Sequence, residues 1–255
     1  MILHQFPDLQ WLKQQADQNF SRRKAWGGRT LAKEGWPTVI LHTKTKTTYR
    51  DNIRGPLSLF TNVSGESRVG VEGRSIKIKE NYFFLTNPDQ HYTLEIDAPV
   101  PTQTFNIHFG EYFAEQVFES FHLPVNILLE NTFQIPHQPM AFHNRIQPHD
   151  AFTKMVMNQI AGKDDQDELW LEETLYTLLA HLMRNENEVY KTKLRLPALK
   201  SSTRSELLQR LLRSTDYIFS FYDQSLSLDE LAQISCLSKF HFLRLFKIAF
   251  QKTPH

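Results

Sequence analysis

Four side chains near the carboxyl end have types and a spacing that suit the reading of a nucleic acid. Phe240, Leu243, Arg244 and Lys247 stand at i, i+3, i+4 and i+7, so a helix would carry them on one face. An arginine can place two hydrogen bonds on a guanine edge, and a lysine can neutralise a phosphate. An apolar side chain can meet a thymine methyl. Two apolar groups beside two cations make poor sense as a solvated surface and good sense in a major groove. The same spacing also fits an ordinary helical hairpin with an exposed apolar pair, or a patch covered by a neighbour.

The flanking residues predict the elements that would hold this face. Ser227-Leu-Asp-Glu230 has the capping-box form, in which a hydroxyl and a carboxylate each satisfy a free backbone N–H, and it opens a short helix from Leu228 to about Ser235. Ala232 is small, as a close helix crossing needs. A tight turn near Cys236 and a second helix capped by Ser238 complete a helix-turn-helix. In that second helix Phe242, Leu245, Phe246 and Ala249 fall at the inward spacings. Thr203-Arg-Ser-Glu206 also has the capping-box form and would open a preceding helix whose broad apolar face includes Leu207, Leu208, Leu211 and Leu212.

The stretch SLDELAQISCLSKFHFLRLFKIAFQKTPH closely resembles the first helix-turn-helix of AraC/XylS-type transcription regulators. The matching residues include Leu231-Ala232, Leu237-Ser238, His241-Phe242, Arg244, Phe246-Lys247 and Thr253-Pro254. The resemblance implies that Ser227–Ser235 is the positioning helix and Ser238–Phe250 the reading helix. On that pattern Phe240, Leu243 and Arg244 face bases, with Lys239 and His241 near the backbone. The expected DNA-contacting set is therefore Ser238, Lys239, Phe240, His241, Leu243, Arg244 and Lys247. Cys236 departs from the family, which often has glycine at this left-handed turn position. Leu243 stands where a polar residue is common, so a thymine contact is expected there.

Thr253-Pro254 has the form of an N-cap followed by proline at the first helical position, and the sequence stops at His255. The resemblance implies a bridging helix and a second helix-turn-helix beyond it. The expectation is an incomplete DNA-binding domain that binds more weakly than a completed chain.

Charge is distributed unevenly. Of the 29 Lys plus Arg and 28 Asp plus Glu, residues 191–255 hold eleven basic and five acidic, leaving 18 and 23 for the rest. A basic tail on an acidic body suggests an anionic partner for the tail, although screened surface charge gives the same count. The single Cys236 excludes an intrachain disulfide and a cysteine-based zinc site. With no apolar run of 18 residues and no signal-like opening, the chain is expected to be soluble and cytoplasmic, away from membranes.

Residues 37–109 alternate with a period near two. Candidate strands are 38–42, 57–61, 67–73, 75–79, 82–86, 91–96 and 104–109. Breaks are expected at Arg54-Gly-Pro, Ser64-Gly-Glu, Glu72-Gly-Arg, Asn87-Pro-Asp and Ala98-Pro-Val-Pro. Short strands at this spacing imply an antiparallel sandwich or barrel. The resemblance implies a cupin-type barrel that senses a small molecule or mediates dimerisation. His91, Asn106 and His108 would line its interior as ligand-binding groups, or serve as satisfied structural polar groups. Two histidines alone do not make a metal site, so neither a metal nor another cofactor is expected. Arg22-Arg-Lys24 with Trp26 reads as surface.

Helical patterns begin after Phe109, at 111–121, 150–162 and 167–190. Leu171, Leu175, Leu178 and Leu182 repeat at alternating four and three, as in a coiled-coil seam, with Asn185 as a register-fixing polar position. This helix either packs within its own subunit or forms a dimer. The stretch 191–202, charged and broken by Pro197, reads as a linker.

The expected architecture is α+β. It comprises a cupin or jelly-roll-like antiparallel barrel over 1–110, a helical dimerisation region over 111–190, a linker over 191–202 and an all-α helix-turn-helix region over 203–255. The expected function is sequence-specific regulation of transcription by a non-enzyme. Its partners would be double-stranded DNA, a second copy of the chain, a small-molecule effector and, through the resemblance, RNA polymerase. The effector would shift how the barrel and dimer helix hold two tails against spaced half-sites. Two alternatives stay open: a metal-dependent cupin enzyme with a helical tail, and a dimerising antagonist that does not read DNA.

Overall fold

The alternating segment forms a sheet. In the computed structural model, which describes residues 2–25, 36–122, 141–162 and 167–254, the strands are β1 (Ile2–Leu3), β2 (Val39–Arg54), β3 (Ser58–Ser64), β4 (Ser67–Val71), β5 (Arg74–Ile78), β6 (Tyr82–Thr86), β7 (His91–His108) and β8 (Ile146–Pro148). Hydrogen bonding runs in the order β1-β2-β7-β3-β6-β8, and β4 joins β7 to β5. Only β1 with β2 is parallel. Among the described residues β1 and β8 are not paired with each other, so the sheet is open along this path.

The turns follow local chemistry. Glu72 and Gly73 both take positive φ, 50° and 73°, which is the two-residue hairpin turn whose twist matches the flanking strands β4 and β5. Ala98-Pro-Val-Pro, expected to end a strand, lies inside β7 instead. The first half of β7 pairs with β4 and the second half with β3, while the register against β2 shifts between Thr45 and Thr47. The two prolines occupy this changeover, where the ladder does not call on their missing N–H groups. The continuation of β2 through Tyr49 to Arg54 was not expected, because its polar, lysine-rich composition hides the strand period.

Seven helices occur among the described residues: α1 (Leu9–Ala25), α2 (Glu111–His122), α3 (Ala151–Ala161), α4 (Glu168–Arg195), α5 (Ser201–Ser220), α6 (Leu228–Ile234) and α7 (Lys239–Phe250). The side chains of Arg22-Arg-Lys24 and Trp26 lie outside the described residues. Asp150 caps α3, accepting from the Thr153 N–H at 2.7 Å, and its other oxygen lies 2.6 Å from His181 Nε2.

The chain divides into two compact units, Met1–His181 and Leu182–His255. Of the stretch 111–190, all but the last nine residues fall in the sheet unit, and the division lies within α4. Leu171, Leu175, Leu178 and Leu182 are all buried within the single chain, Leu178 completely. The seam is spent inside its own subunit, which corrects the assignment of these four to a dimer interface. The linker assignment also changes. Residues 191–195 continue α4, and Leu196 is buried in the second unit's core; the helix stops just before Pro197, as the steric restriction on the preceding residue demands.

Candidate nucleic-acid interface

In the unit Leu182–His255 the core fixes α6 and α7. Leu208, Leu211 and Leu212 of α5, Leu231 and Ala232 of α6, and Phe242, Leu245, Phe246 and Ala249 of α7 form one buried cluster. Burying a phenylalanine completely, as at Phe242, contributes about 1.5–3 kcal/mol. The rings of Phe242, Phe246 and Phe250 follow one another at centroid distances of 5.4 and 4.6 Å.

Capping sets where each helix begins. The Ser227–Glu230 capping box is fully made: the Glu230 N–H donates to Ser227 Oγ at 3.2 Å, and the Ser227 N–H donates to Glu230 Oε2 at 2.8 Å. These bonds hold the Glu230 carboxyl below its usual range. The other expected capping box does not form. Helix α5 already begins at Ser201, with Lys200 at its N-cap, so Thr203 is inside the helix and Glu206 pairs with Arg210 at 2.6 Å.

The turn between α6 and α7 closes with a double hydrogen bond. Leu237 N–H donates to the Ala232 carbonyl at 3.0 Å and Cys236 N–H to the Gln233 carbonyl at 2.9 Å, which is the Schellman arrangement. It requires a left-handed residue at Cys236, where φ is 52°. The expected strain at this non-glycine position is thus present, and it costs about 1 kcal/mol. A second tie comes from α5: Arg210 donates to the Cys236 carbonyl at 3.0 Å. Sequence spacing makes the Glu206–Arg210 pair readable, but the carbonyl 26 residues away gives no sequence signal. At its far end, α7 is anchored by Arg195, which donates to the Ala249 carbonyl at 3.3 Å.

The outward face of α7 matches the expected one. Phe240 is 83% exposed, Arg244 and Lys247 are exposed, and Leu243 is half-buried beside them. Neither Arg244 nor Lys247 has an ion-pair or hydrogen-bond partner among the described residues. Ser238 caps the helix, its Oγ accepting from His241 N–H at 3.4 Å, and His241 points to solvent. Lys239 differs from expectation in being engaged already, by Asp229 at 2.8 Å. Both partners are well exposed, so the pair contributes roughly 0–1 kcal/mol and trades readily for a phosphate.

The expected ligand set in the sheet unit does not come together. His91 is exposed at the first position of β7, its Nδ1 2.8 Å from Asn52 Oδ1, while Asn106 and His108 lie at the opposite end of the strand. His91 and His108 are therefore too far apart to share a ligand or an ion. No group of three or more His, Cys, Asp or Glu side chains placed to hold a metal occurs among the described residues. Asn106 and His108 do share a face of β7, opposite Leu41 and Val39. Asn106 Oδ1 accepts from Thr61 N–H at 3.2 Å, and its buried Nδ2 has no partner among the described residues. Ser58 donates its hydroxyl to the Pro56 carbonyl, so its 2.8 Å contact with His108 is a hydrogen bond from His108 Nδ1–H. Burial pushes His108 down to about 4, and the ring is neutral.

No family model matches this chain, and no curated protein matches it. Solved structures give distant likenesses. ToxT from Vibrio cholerae is 11% identical, covering 86% of this chain and 97% of its own, with a TM-score of 0.39. The AraC-like transcriptional activator CuxR is 12% identical over 84% of this chain and 72% of its own, with a TM-score of 0.30. Oxalate decarboxylase from Bacillus subtilis is 16% identical over 37% of this chain and 27% of its own, at 0.23. All three scores lie below 0.5.

Proposed function

We propose that this chain is a sequence-specific DNA-binding regulator of transcription in which α7 enters the major groove. The single observation that carries this reading is the outward face of α7. An almost fully exposed phenylalanine, a leucine and two cations without a partner among the described residues are aligned on a helix whose opposite face is locked into a core. Arg244 supplies the bidentate donor for a guanine edge, and Phe240 and Leu243 meet thymine methyls. Lys247 and Lys239 neutralise phosphates, Lys239 exchanging Asp229 for one of them. Ser238 and His241 approach the backbone at the helix N-terminus, where partial positive charge favours an anion. Glu206, Arg210 and the Cys236 carbonyl hold the turn, and so fix the angle at which α7 is presented.

A regulator of this kind works as a dimer on paired half-sites, with a small-molecule effector and RNA polymerase as further partners. Since the Leu171–Leu182 seam is consumed within the chain, a dimer would use another surface.

Selection of bound duplexes from a random pool tests the reading, followed by Arg244→Ala on the selected site. The expected loss is about 1–3 kcal/mol with relaxed preference at one base pair, while Lys247→Ala weakens all sequences alike and lowers the salt slope by about 1. Failure to enrich any sequence at low salt would refute the proposal. An equal loss on all sequences in Arg244→Ala would demote that arginine to a phosphate contact.

A further inference from the structure

The sheet unit holds a cavity of about 500 Å³ that the reading of α7 leaves unused, and it lies away from Asn106 and His108. Two strands build its floor. On β2, His42 and Lys44 are two residues apart and share a face; on β7, Phe105 is opposite His42 and Gln103 opposite Lys44. Asn106 and His108 alternate with Gln103 and Phe105, so they belong to the other face of the sheet. His4 and Ile160 complete the walls.

The hydrogen bonds fix what each group can still offer. His4 Nδ1 lies 3.3 Å from the His42 carbonyl, so it carries the proton and Nε2 stays available. Gln103 Nε2 meets His42 Nε2 at 2.6 Å, which makes that imidazole nitrogen the acceptor and leaves the Gln103 amide oxygen to the cavity. Phe105 packs edge-on against His42, with ring centroids 5.3 Å apart. Burial, and then the neighbouring His4, lower the pKa of His42, which agrees with a neutral ring. Lys44 is exposed and has no acidic partner among the described residues, and none of the described residues lining the cavity is a carboxylate.

A half-open recess of this size, with one ammonium and no acid among its described lining residues, several neutral hydrogen-bonding groups and a small apolar wall, suits one class of ligand. We infer that this cavity binds a small organic anion of about sugar size. Its phosphate or carboxylate group meets Lys44, its polar body meets His4 Nε2 and the Gln103 amide oxygen, and its apolar edge rests on Phe105 and Ile160. This is a statement about binding and does not rest on the reading of DNA by α7, so either can fail without the other.

Glucose 6-phosphate, gluconate and neutral glucose serve as probes. Each is titrated into the full chain, and the histidine side-chain resonances are followed by long-range nitrogen–proton correlation. The expected result is a saturable shift of His4 and His42 with at least one of the two anions and none with glucose. The anion that binds more tightly distinguishes phosphate from carboxylate recognition. Lys44→Met should weaken that binding by about tenfold or more, the worth of one charge-assisted contact, whereas Lys46→Met, a cation lost from the same strand outside the cavity, should leave it within about twofold. Gln103→Leu provides a second variant that removes the amide without changing charge, and it should also weaken binding. No saturable shift with either anion, equal shifts with glucose, or equal losses in the two lysine variants would each overturn the proposal.

Discussion

The two units present function in different ways. In Leu182–His255 the residues of the proposed DNA-reading face and those that face inward for the core come from the same short stretch of α7, separated only by helical phase. In Met1–His181 the groups that meet at a site come from positions as distant as His4, His42 and Gln103, and only strand register unites them. A helix therefore writes its interface locally, and a sheet assembles its site by topology. Changes in the two units should accordingly fail differently.

The largest expected effect is in the helical unit. Phe242→Ala opens a cavity under both α6 and α7 and should cost about 3–5 kcal/mol, read by denaturant unfolding followed through far-UV circular dichroism. A cost below about 1 kcal/mol would mean that the presenting core is not as packed as described. Next comes Leu178→Ala on the sheet unit's side, at about 2–5 kcal/mol and with an unchanged oligomeric state by light scattering. Dissociation of an oligomer without loss of stability would instead return this leucine to an intersubunit seam.

Acid should separate the units without a mutation. His108 and His149 are both pushed down to about 4, chiefly by burial, with Lys154 adding to the effect at His149. An unfolded histidine titrates near 6.5, so between those values the unfolded chain binds more protons than the folded one. Stability is full above about pH 6.5 and falls as the pH drops toward 4. The loss should be roughly 1–2 kcal/mol per ring at pH 5, discounted because each ring keeps a partly exposed edge. His149 Nε2 donates to Thr61 Oγ1, whose own hydroxyl is given to the Tyr82 carbonyl, so protonation would place a charge on a buried Nδ1 that lacks a partner among the described residues. Urea titrations at pH 7 and 5 should show the loss in the sheet unit. His149→Gln should flatten the dependence, and an unchanged slope would remove His149 from the account.

The smallest effect is a gain. Cys236→Gly relieves the left-handed backbone at the turn and should add up to about 1 kcal/mol to the helical unit's stability. A loss there would show that the cysteine side chain contributes more than its backbone costs.

These contrasts also explain what could be read in advance. The capping box at Ser227, the cap at Ser238 and the outward face of α7 are legible because each depends on residues within about two helical turns of one another, whereas the left-handed backbone at Cys236 is what the family resemblance implied. Thr203–Glu206 shows the limit of that logic. The pattern is right for a cap, yet the serines before it extend α5 backwards, and Glu206 finds Arg210 instead. The leucine seam on α4 had the correct phase, but phase does not say which molecule covers it. The cupin resemblance groups His91 with Asn106 and His108 in one interior, whereas β7 carries His91 and the other two to its opposite ends.

What the sequence by itself determined is the set of features with a short physical range: strand and helix periods, turn chemistry, caps, and the division of α7 into an apolar and a charged side. Only the tertiary structure decided which of the histidines come together, that Lys44 faces a cavity with no acid among its described lining residues, and that Arg210 reaches the carbonyl of Cys236. The reason is that a period of 2 or 3.6 fixes direction within one element, while contacts between elements depend on register and loop closure, which no local pattern encodes.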